Sequence, residues 1–137
     1  MAKKKTPWVK ALGLTSADFK ERPKGYDPLV WGLKNKVINQ DEYMTWATDH
    51  YQLPAIRPEF FSMAVDFTLI DKQSHIHNWD AHCYPIYTWN DTLFVACLEP
   101  VELNTQEKVC FVIAPFFPME NAWDKFQNSK NGPMTDT

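Results

Sequence analysis

Apolar and polar positions follow a helical period in the first half of this chain, most clearly in the segment VINQDEYMTWATDHYQLP. Asn39 stands where an N-cap is expected and Glu42 follows three residues later, which is the capping-box arrangement. Pro54 ends the segment. The spacing i, i+3, i+4 and i+7 predicts one buried stripe, made of Tyr43, Trp46, Ala47 and His50.

A second helix is predicted just before this one, over Asp27–Lys36. Asp27 can cap it, and Pro28 suits its first turn because proline lacks only an N–H that would have no partner there. The two helices together predict a helical hairpin. The segment that follows, Leu53–Phe61, contains two prolines, and we expect it to cross the molecule in an extended form.

The second half of the chain is rich in aromatic and β-branched residues, which favours strands. Asn90 and Asp91 form a turn dipeptide between two such runs and predict a β-hairpin. The two strands of the hairpin are Tyr84–Trp89 and Thr92–Pro100. A third strand and a closing helix are predicted over Val109–Phe116 and Pro118–Phe126. For two segments the pattern leaves alternatives open: strand or helix over Ala64–Asp71, and one helical turn or a loop over Ile76–Cys83.

These elements predict an α+β (α/β) fold with an N-terminal helical hairpin, a small and mostly antiparallel sheet of about three strands, and a closing C-terminal helix. The 137 residues, 45% of them hydrophobic, suffice for one domain with a core of its own. We expect a basic leader over residues 1–25 that is either packed on the body or becomes ordered on binding, a single domain over residues 26–127, and a frayed tail over residues 128–137.

The net charge of −3 is unevenly distributed. Residues 1–25 carry a charge of +5, whereas the remainder carries −8. An acidic body is a poor surface for nucleic acid, because contacts with phosphate supply most of that affinity. We therefore expect no nucleic-acid partner. The leader, with Lys3, Lys4 and Lys5, could contact an acidic protein or an anionic membrane face, or only aid solubility.

Cysteine usage and apolar run length indicate the compartment. Three cysteines, an odd number in apolar surroundings, are typical of reduced thiols in the cytosol. The apolar run Val109–Phe117 is far shorter than the roughly 20 residues that span a bilayer. The first ten residues lack the apolar stretch of a secretory signal. We predict a cytoplasmic protein that does not span the membrane.

Two motifs resemble the N-terminal domain of type II secretion and type IV pilus assembly ATPases. In that family a helix is followed by Y-x-L-P, and a later strand and turn by TLxVAxxDP. The counterparts here are KVINQDEYMTWATDHYQLP over Lys36–Pro54 and CYPIYTWNDTLFVACLEP over Cys83–Pro100. The resemblance spans about residues 27–126. It implies a module that docks on cytoplasmic parts of a bacterial inner-membrane assembly for motility, pilus formation or secretion.

The departures from that family concern nucleotides. The chain has no G-x-x-x-x-G-K-[ST] phosphate loop and only four glycines. Some family members bind cyclic di-GMP with an Arg, a Gly and a final Gln, and these positions fall here on Asp27, Leu29 and His50. Because an Asp would repel a phosphate that an Arg binds, we do not expect cyclic di-GMP binding.

A cluster of possible metal ligands lies in HIHNWDAHC. His75, His77, His82 and Cys83 are residue types that bind zinc, but their spacing matches no common zinc pattern. The alternative is a loop with imidazoles at the surface. No nucleophile with an adjacent base is evident either, because His82 and Cys83 are sequence neighbours and usually point apart. We predict no enzymatic activity and no cofactor.

The tryptophans divide into two groups. Trp46, Trp89 and Trp123 fall on predicted core faces. Trp8, Trp31 and Trp79 lie in weaker segments and are the better candidates for contact anchors, because aromatics are enriched at interface hot spots. The alternative is that they only fill the core.

The sequence thus predicts a regulatory protein-interaction adaptor. One alternative is a sensor of a cyclic dinucleotide or other small molecule, with a rewired groove at Asp27, Leu29 and His50. A second alternative is a small metal-binding protein that uses the His75–Cys83 cluster.

Overall fold

The computed structural model describes residues 6–63 and 65–131, with backbone alone for residues 130 and 131. Within these ranges the chain forms α-helices, one short 3-10 helix over Ser16–Phe19 and one three-stranded sheet. The helices are α1 (Pro7–Ala11), α2 (Pro28–Lys34), α3 (Gln40–Tyr51), α4 (Phe60–Met63), α5 (Thr68–Lys72) and α6 (Phe116–Asn131). The strands are β1 (Cys83–Trp89), β2 (Thr92–Cys97) and β3 (Lys108–Ile113). The α+β class, the three strands and the closing helix are confirmed.

Side-chain caps begin the two helices of the predicted hairpin. The Asp27 carboxylate accepts a hydrogen bond from the backbone N–H of Leu29 at 3.1 Å, at the start of α2. The Asn39 side chain accepts one from the N–H of Glu42 at 3.0 Å, at the start of α3. Both caps satisfy backbone donors that have no partner inside the helix. The helix α3 ends at Gln52 in the left-handed region (φ 55°), which turns the chain toward the sheet.

The predicted buried stripe on α3 is only half correct. Tyr43 and Ala47 are buried, but Trp46 is half-buried and His50 is exposed. The His50 ring stacks on Trp46 with a centroid distance of 4.5 Å. The stripe therefore turns out of the core along α3, and its last members lie at the surface.

The predicted β-hairpin is confirmed. β1 and β2 pair antiparallel, with Trp89 opposite Thr92 at the turn. Asn90 and Asp91 both have positive φ, 53° and 62°, as a two-residue type I′ turn requires. The register shifts between Pro85 and Tyr87, so a bulge lies in the middle of β1.

The sheet is mixed, because β3 pairs parallel to β2, with Thr92 opposite Lys108 and Cys97 opposite Ile113. The sequence favoured a mostly antiparallel sheet. β1 already occupies one edge of β2, and residues 98–107 carry the chain back so that β3 runs in the same direction as β2 along the other edge. A bridge between Ala55 and Ile113 continues the outer edge of β3.

Two buried tyrosines join the helices to the sheet and its margin. The Tyr84 hydroxyl in β1 donates to the Met119 carbonyl of α6 at 2.7 Å. The Tyr43 hydroxyl in α3 donates to the Leu98 carbonyl, just after β2, also at 2.7 Å. Because burial favours the neutral phenol, the pKa of each hydroxyl is raised well above its usual value.

The two open segments resolve as follows. Helix α5 forms in the second half of 64–71. Residues 76–82 form a loop that leads into β1, with a bridge between Asp80 and Cys83.

Candidate protein-interaction site

The structure changes the division of the tryptophans at two positions, Trp8 and Trp89, while Trp46 and Trp123 pack against the core as predicted. Trp8 is 1% exposed, and its ring meets Phe19 edge-on at 5.8 Å, so it is a core residue rather than a free contact anchor. Trp31 is half-buried, and its ring centroid lies 6.1 Å from that of Phe19. Trp79 is half-buried, and its indole N–H donates to the Gln73 carbonyl at 3.0 Å. These three are held mainly by contacts within the chain.

Trp89, in contrast, is 68% exposed, although its strand pattern placed it on a core face. It is the last residue of β1, directly before the turn, and burial falls off along this strand from its start to its end. Alternation along a strand gives the face of a residue but not how far the covering layer extends. The turn dipeptide Asn90–Asp91 directly follows Trp89, and it is the sequence feature that indicates a position at the end of the strand, beyond the covering helices.

The exposed indole continues a group of partly exposed rings on one face of the sheet. Tyr87 lies two residues before Trp89 on the same face. Its ring stacks on the opposite Phe94, with a centroid distance of 4.7 Å and an angle of 4° between the ring planes. Phe60 of α4 contacts Tyr87 at 5.3 Å. We call Phe60, Tyr87, Trp89 and Phe94 the aromatic face.

Further apolar surface lies at the border of the aromatic face. Three large hydrophobic side chains are exposed among the described residues: Tyr26, Met63 and Trp89. Met63 is 81% exposed and lies in α4 three residues after Phe60, a spacing that puts both on one side of a helix. Trp89 of β1 pairs with Thr92 of β2, and Thr92 pairs with Lys108 of β3, so the three residues lie side by side on the same face of the sheet. The arrangement is an apolar surface with an ammonium group at its margin.

A small cavity joins two groups of residues that the sequence suggested separately. It has a volume of about 150 Å³, and its lining includes Asp27, Leu29, His77, His82 and Cys83. Drug-sized ligands occupy about 300–1,000 Å³, so the cavity is too small for a cyclic dinucleotide in this conformation.

The three residues predicted for a ligand groove have other positions and contacts. The Asp27 carboxylate caps α2, and Leu29 is 1% exposed in the core. His50 does not line the cavity and instead stacks on Trp46. The predicted groove is therefore not assembled from these three side chains.

The predicted metal ligands do not converge either. No group of three His, Cys, Asp or Glu side chains that could hold a metal ion is found in residues 6–63 and 65–131. His75 is exposed, and His82 Nε2 lies 3.0 Å from a Glu120 carboxylate oxygen, with its ring stacked on Phe116. Burial, with a smaller effect of Asp80, raises the pKa of the Cys83 thiol to about 12. Without a metal ion, the Cys83 thiol is therefore protonated at neutral pH.

Cys97, the second buried cysteine, is a poor nucleophile. Cys97 has no exposed surface, and burial raises its pKa above the usual value. Its Sγ lies 3.7 Å from the carbonyl oxygen of Val112 in the neighbouring strand. Reactive cysteines need a stabilised thiolate and access to solvent, and Cys97 has neither.

Two further predictions concern the leader and the membrane. Lys3, Lys4 and Lys5 lie outside the described residues. In the part of the chain that the structure covers, no helix has both the length and the apolar character needed to cross a bilayer.

Comparison with known proteins gives one structural likeness. No family model matches the chain, and no curated protein matches it. Among solved structures it is similar to the N-terminal domain of XpsE, with 8% identity and a TM-score of 0.49 over 90% of this chain and 98% of that chain. XpsE is a type II secretion ATPase, the family that the sequence motifs resemble. At this identity and TM-score, no ligand, partner or activity is transferred from that domain to this chain.

Proposed function

We propose that this chain is a non-catalytic adaptor that binds another protein through the aromatic face. The observation that carries the proposal is the exposed Trp89 beside the stacked Tyr87–Phe94 pair. Exposed apolar surface costs about 25 cal/mol per Å² relative to burial, and aromatic residues and methionine are enriched in the buried centres of interfaces. A partner that covers this face recovers that free energy.

The chemistry of the margin indicates what such a partner presents. Across the sheet, Trp89 pairs with Thr92, and Thr92 pairs with Lys108. Asp91 and Glu107 line the same hollow as Trp89 and Lys108, so the margin carries charges of both signs. A partner with an apolar anchor and flanking charged groups of both signs therefore fits the surface. Packing of apolar groups therefore contributes more to the affinity of this contact than charge does.

We further infer the setting from the sequence motifs that resemble secretion-ATPase N-terminal domains. The partner is a cytoplasmic part of a membrane-associated bacterial assembly for motility, pilus formation or secretion. The chain itself acts in the cytoplasm and regulates or connects that assembly without turning over a substrate. The burial of Cys83 and Cys97 is consistent with a role that needs no reactive thiol.

Site-specific photocrosslinking tests the proposal. A photoreactive phenylalanine at position 89 should crosslink one identified protein in living cells, whereas the same residue at position 26 should not. Tyr26 is the matched control because it is also an exposed aromatic, at 58%, and lies outside the aromatic face.

Affinity measurements with the purified partner complete the test. Trp89→Ala should weaken binding at least about tenfold, as expected for a hot-spot residue, and Tyr26→Ala should change it less than about twofold. Equal losses in both variants, or crosslinking from position 26 alone, would contradict the proposal.

A further inference from the structure

A second surface, separate from the aromatic face, lies between α1 and α3. It is a groove of about 360 Å³. Its lining consists of Ala11, Leu12, Asp41, Glu42, Thr45 and Trp46. None of these residues belongs to the aromatic face, so the two surfaces can be altered independently.

The floor of the groove is apolar. Leu12 and Trp46 are half-buried and pack against the core, and the short side chains of Ala11 and Thr45 leave the space above them open. Trp46 is held in place by the stacked His50 ring at 4.5 Å. The groove therefore offers an indole and an aliphatic side chain in fixed positions.

Carboxylates accompany this floor along α3. The helix carries Asp41, Glu42 and Asp49, all exposed, and its sequence QDEYMTWATDHY contains no lysine or arginine. Residues spaced by three or four positions share a side of a helix, which aligns Glu42, Trp46 and Asp49. The acidic groups thus lie along the same side of α3 as the indole of the groove.

The stability of α3 explains only part of this charge. Asp41 and Glu42 lie in the first turn, where the helix dipole favours negative charge. Asp49 lies in the last turn, where the dipole disfavours it. A carboxylate at that end is unfavourable for the isolated helix, and a bound cation would compensate for it.

We propose that this groove binds an amphipathic helix of a partner protein that carries lysine or arginine beside its apolar face. A helix in a groove inserts apolar residues at i, i+3 or i+4 and i+7, and the twelve residues of α3 give it three turns to follow. The apolar residues cover Leu12 and Trp46, and the cations pair with the carboxylates of α3. The proposal does not depend on the aromatic face.

The probe is a fluorescein-labelled synthetic peptide of leucine and lysine with helical spacing, about 16 residues long because shorter isolated helices are marginal. Its counterpart carries glutamate at every lysine position. Fluorescence anisotropy with the full chain should show binding of the lysine peptide and none of the glutamate peptide. Raising the salt concentration from about 0.05 M to about 0.5 M should weaken binding, because the charge contacts are exposed.

The decisive variant is Asp49→Lys. It removes a charge that the helix dipole disfavours, so the melting temperature should stay the same or rise, while the lysine peptide should bind several-fold more weakly. Ala11→Trp should block the groove, since Ala11 is exposed and its side chain can be enlarged without entering the core. Asp124→Lys on α6 makes the same charge change away from α3 and should leave binding unchanged, as should Trp89→Ala.

Two results would overturn the proposal. One is equal binding of the glutamate and lysine peptides. The other is an unchanged affinity for the lysine peptide in both Asp49→Lys and Ala11→Trp.

Discussion

The three cysteines show how surroundings set the chemistry of a single residue. Cys83 is 6% exposed and Cys97 is fully covered, and burial raises the pKa of both thiols. Cys110 is half-buried, in β3 at the margin of the sheet. Residues of one type, all set in apolar sequence, therefore differ in access to solvent.

This difference predicts the order of chemical modification. With excess iodoacetamide near pH 8, Cys110 should be alkylated first in the folded protein, and Cys83 and Cys97 should react only as fast as the fold opens. Peptide mass spectrometry after timed quenching measures each site. In about 6 M guanidinium chloride, all three cysteines should react at similar rates, which is the control. Rapid alkylation of Cys97 in the folded protein would show that β2 is not buried in solution.

At the scale of elements, the packing of α2 against the connection that leads to α3 depends on one glycine. A Cβ built on Gly32 would lie 2.5 Å from Cδ1 and 2.8 Å from Cγ1 of Ile38, which is itself packed in the core at 2% exposure. Glycine inside a helix costs roughly 0.5–1 kcal/mol relative to alanine. The close approach of the two segments outweighs that cost.

Gly32→Ala should therefore destabilise the protein by about 1–3 kcal/mol, as overpacking does, although alanine is the better helix former. Urea unfolding measures the change in the free energy of unfolding. The same substitution in an Ile38→Val background should cost less, because the methyl group at 2.5 Å is then absent. A stabilising effect of Gly32→Ala would show that α2 and Ile38 are further apart than described.

Local sequence determined most of these elements. The cap at Asn39, the cap at Asp27 and the turn at Asn90–Asp91 are short-range features, and the structure shows each of them. The direction of β3 relative to β2 was not predictable in this way, because it depends on the path of residues 98–107 and on the edge that β1 leaves open. Strand pairing over that distance leaves no local pattern.

At the scale of the whole molecule, residues from the basic leader are part of the packed body. Trp8 lies in the same core cluster as residues of α2, α3 and the sheet, at 1% exposure. The predicted domain boundary at residue 25 would place Trp8 outside the domain that contains this core. Whether residues 6–25 belong to the cooperative unit can be measured directly.

Trp8→Ala should lower the free energy of unfolding by about 3–5 kcal/mol, as truncation of a buried tryptophan does. Tyr26→Ala, at an exposed site nearby in sequence, should change it by less than about 0.5 kcal/mol. Both values come from urea titrations followed by circular dichroism. A loss below about 1 kcal/mol for Trp8→Ala would support a separate leader that ends at residue 25.

The candidate surfaces were less accessible to sequence reasoning than the elements. The α3 pattern indicated a stripe that includes Trp46 and His50, but the depth of burial along the stripe depends on where α1 covers it. In the same way, Trp89 shares the alternation of a buried strand and lies past the covering layer. Residue type and spacing give the side on which a residue lies, and tertiary packing decides its exposure.

The bridge between Ala55 and Ile113 also bears on how the protein reaches its fold. The β1–β2 hairpin closes a two-residue turn, a process of about 1–10 μs, whereas this bridge joins distant parts of the chain and must overcome a larger loop entropy. We expect β3 to associate before the bridge forms, so that for a time its outer edge has no neighbour there. An open edge pairs readily with other chains. Refolding at high protein concentration should therefore lose material to aggregates nucleated at β3.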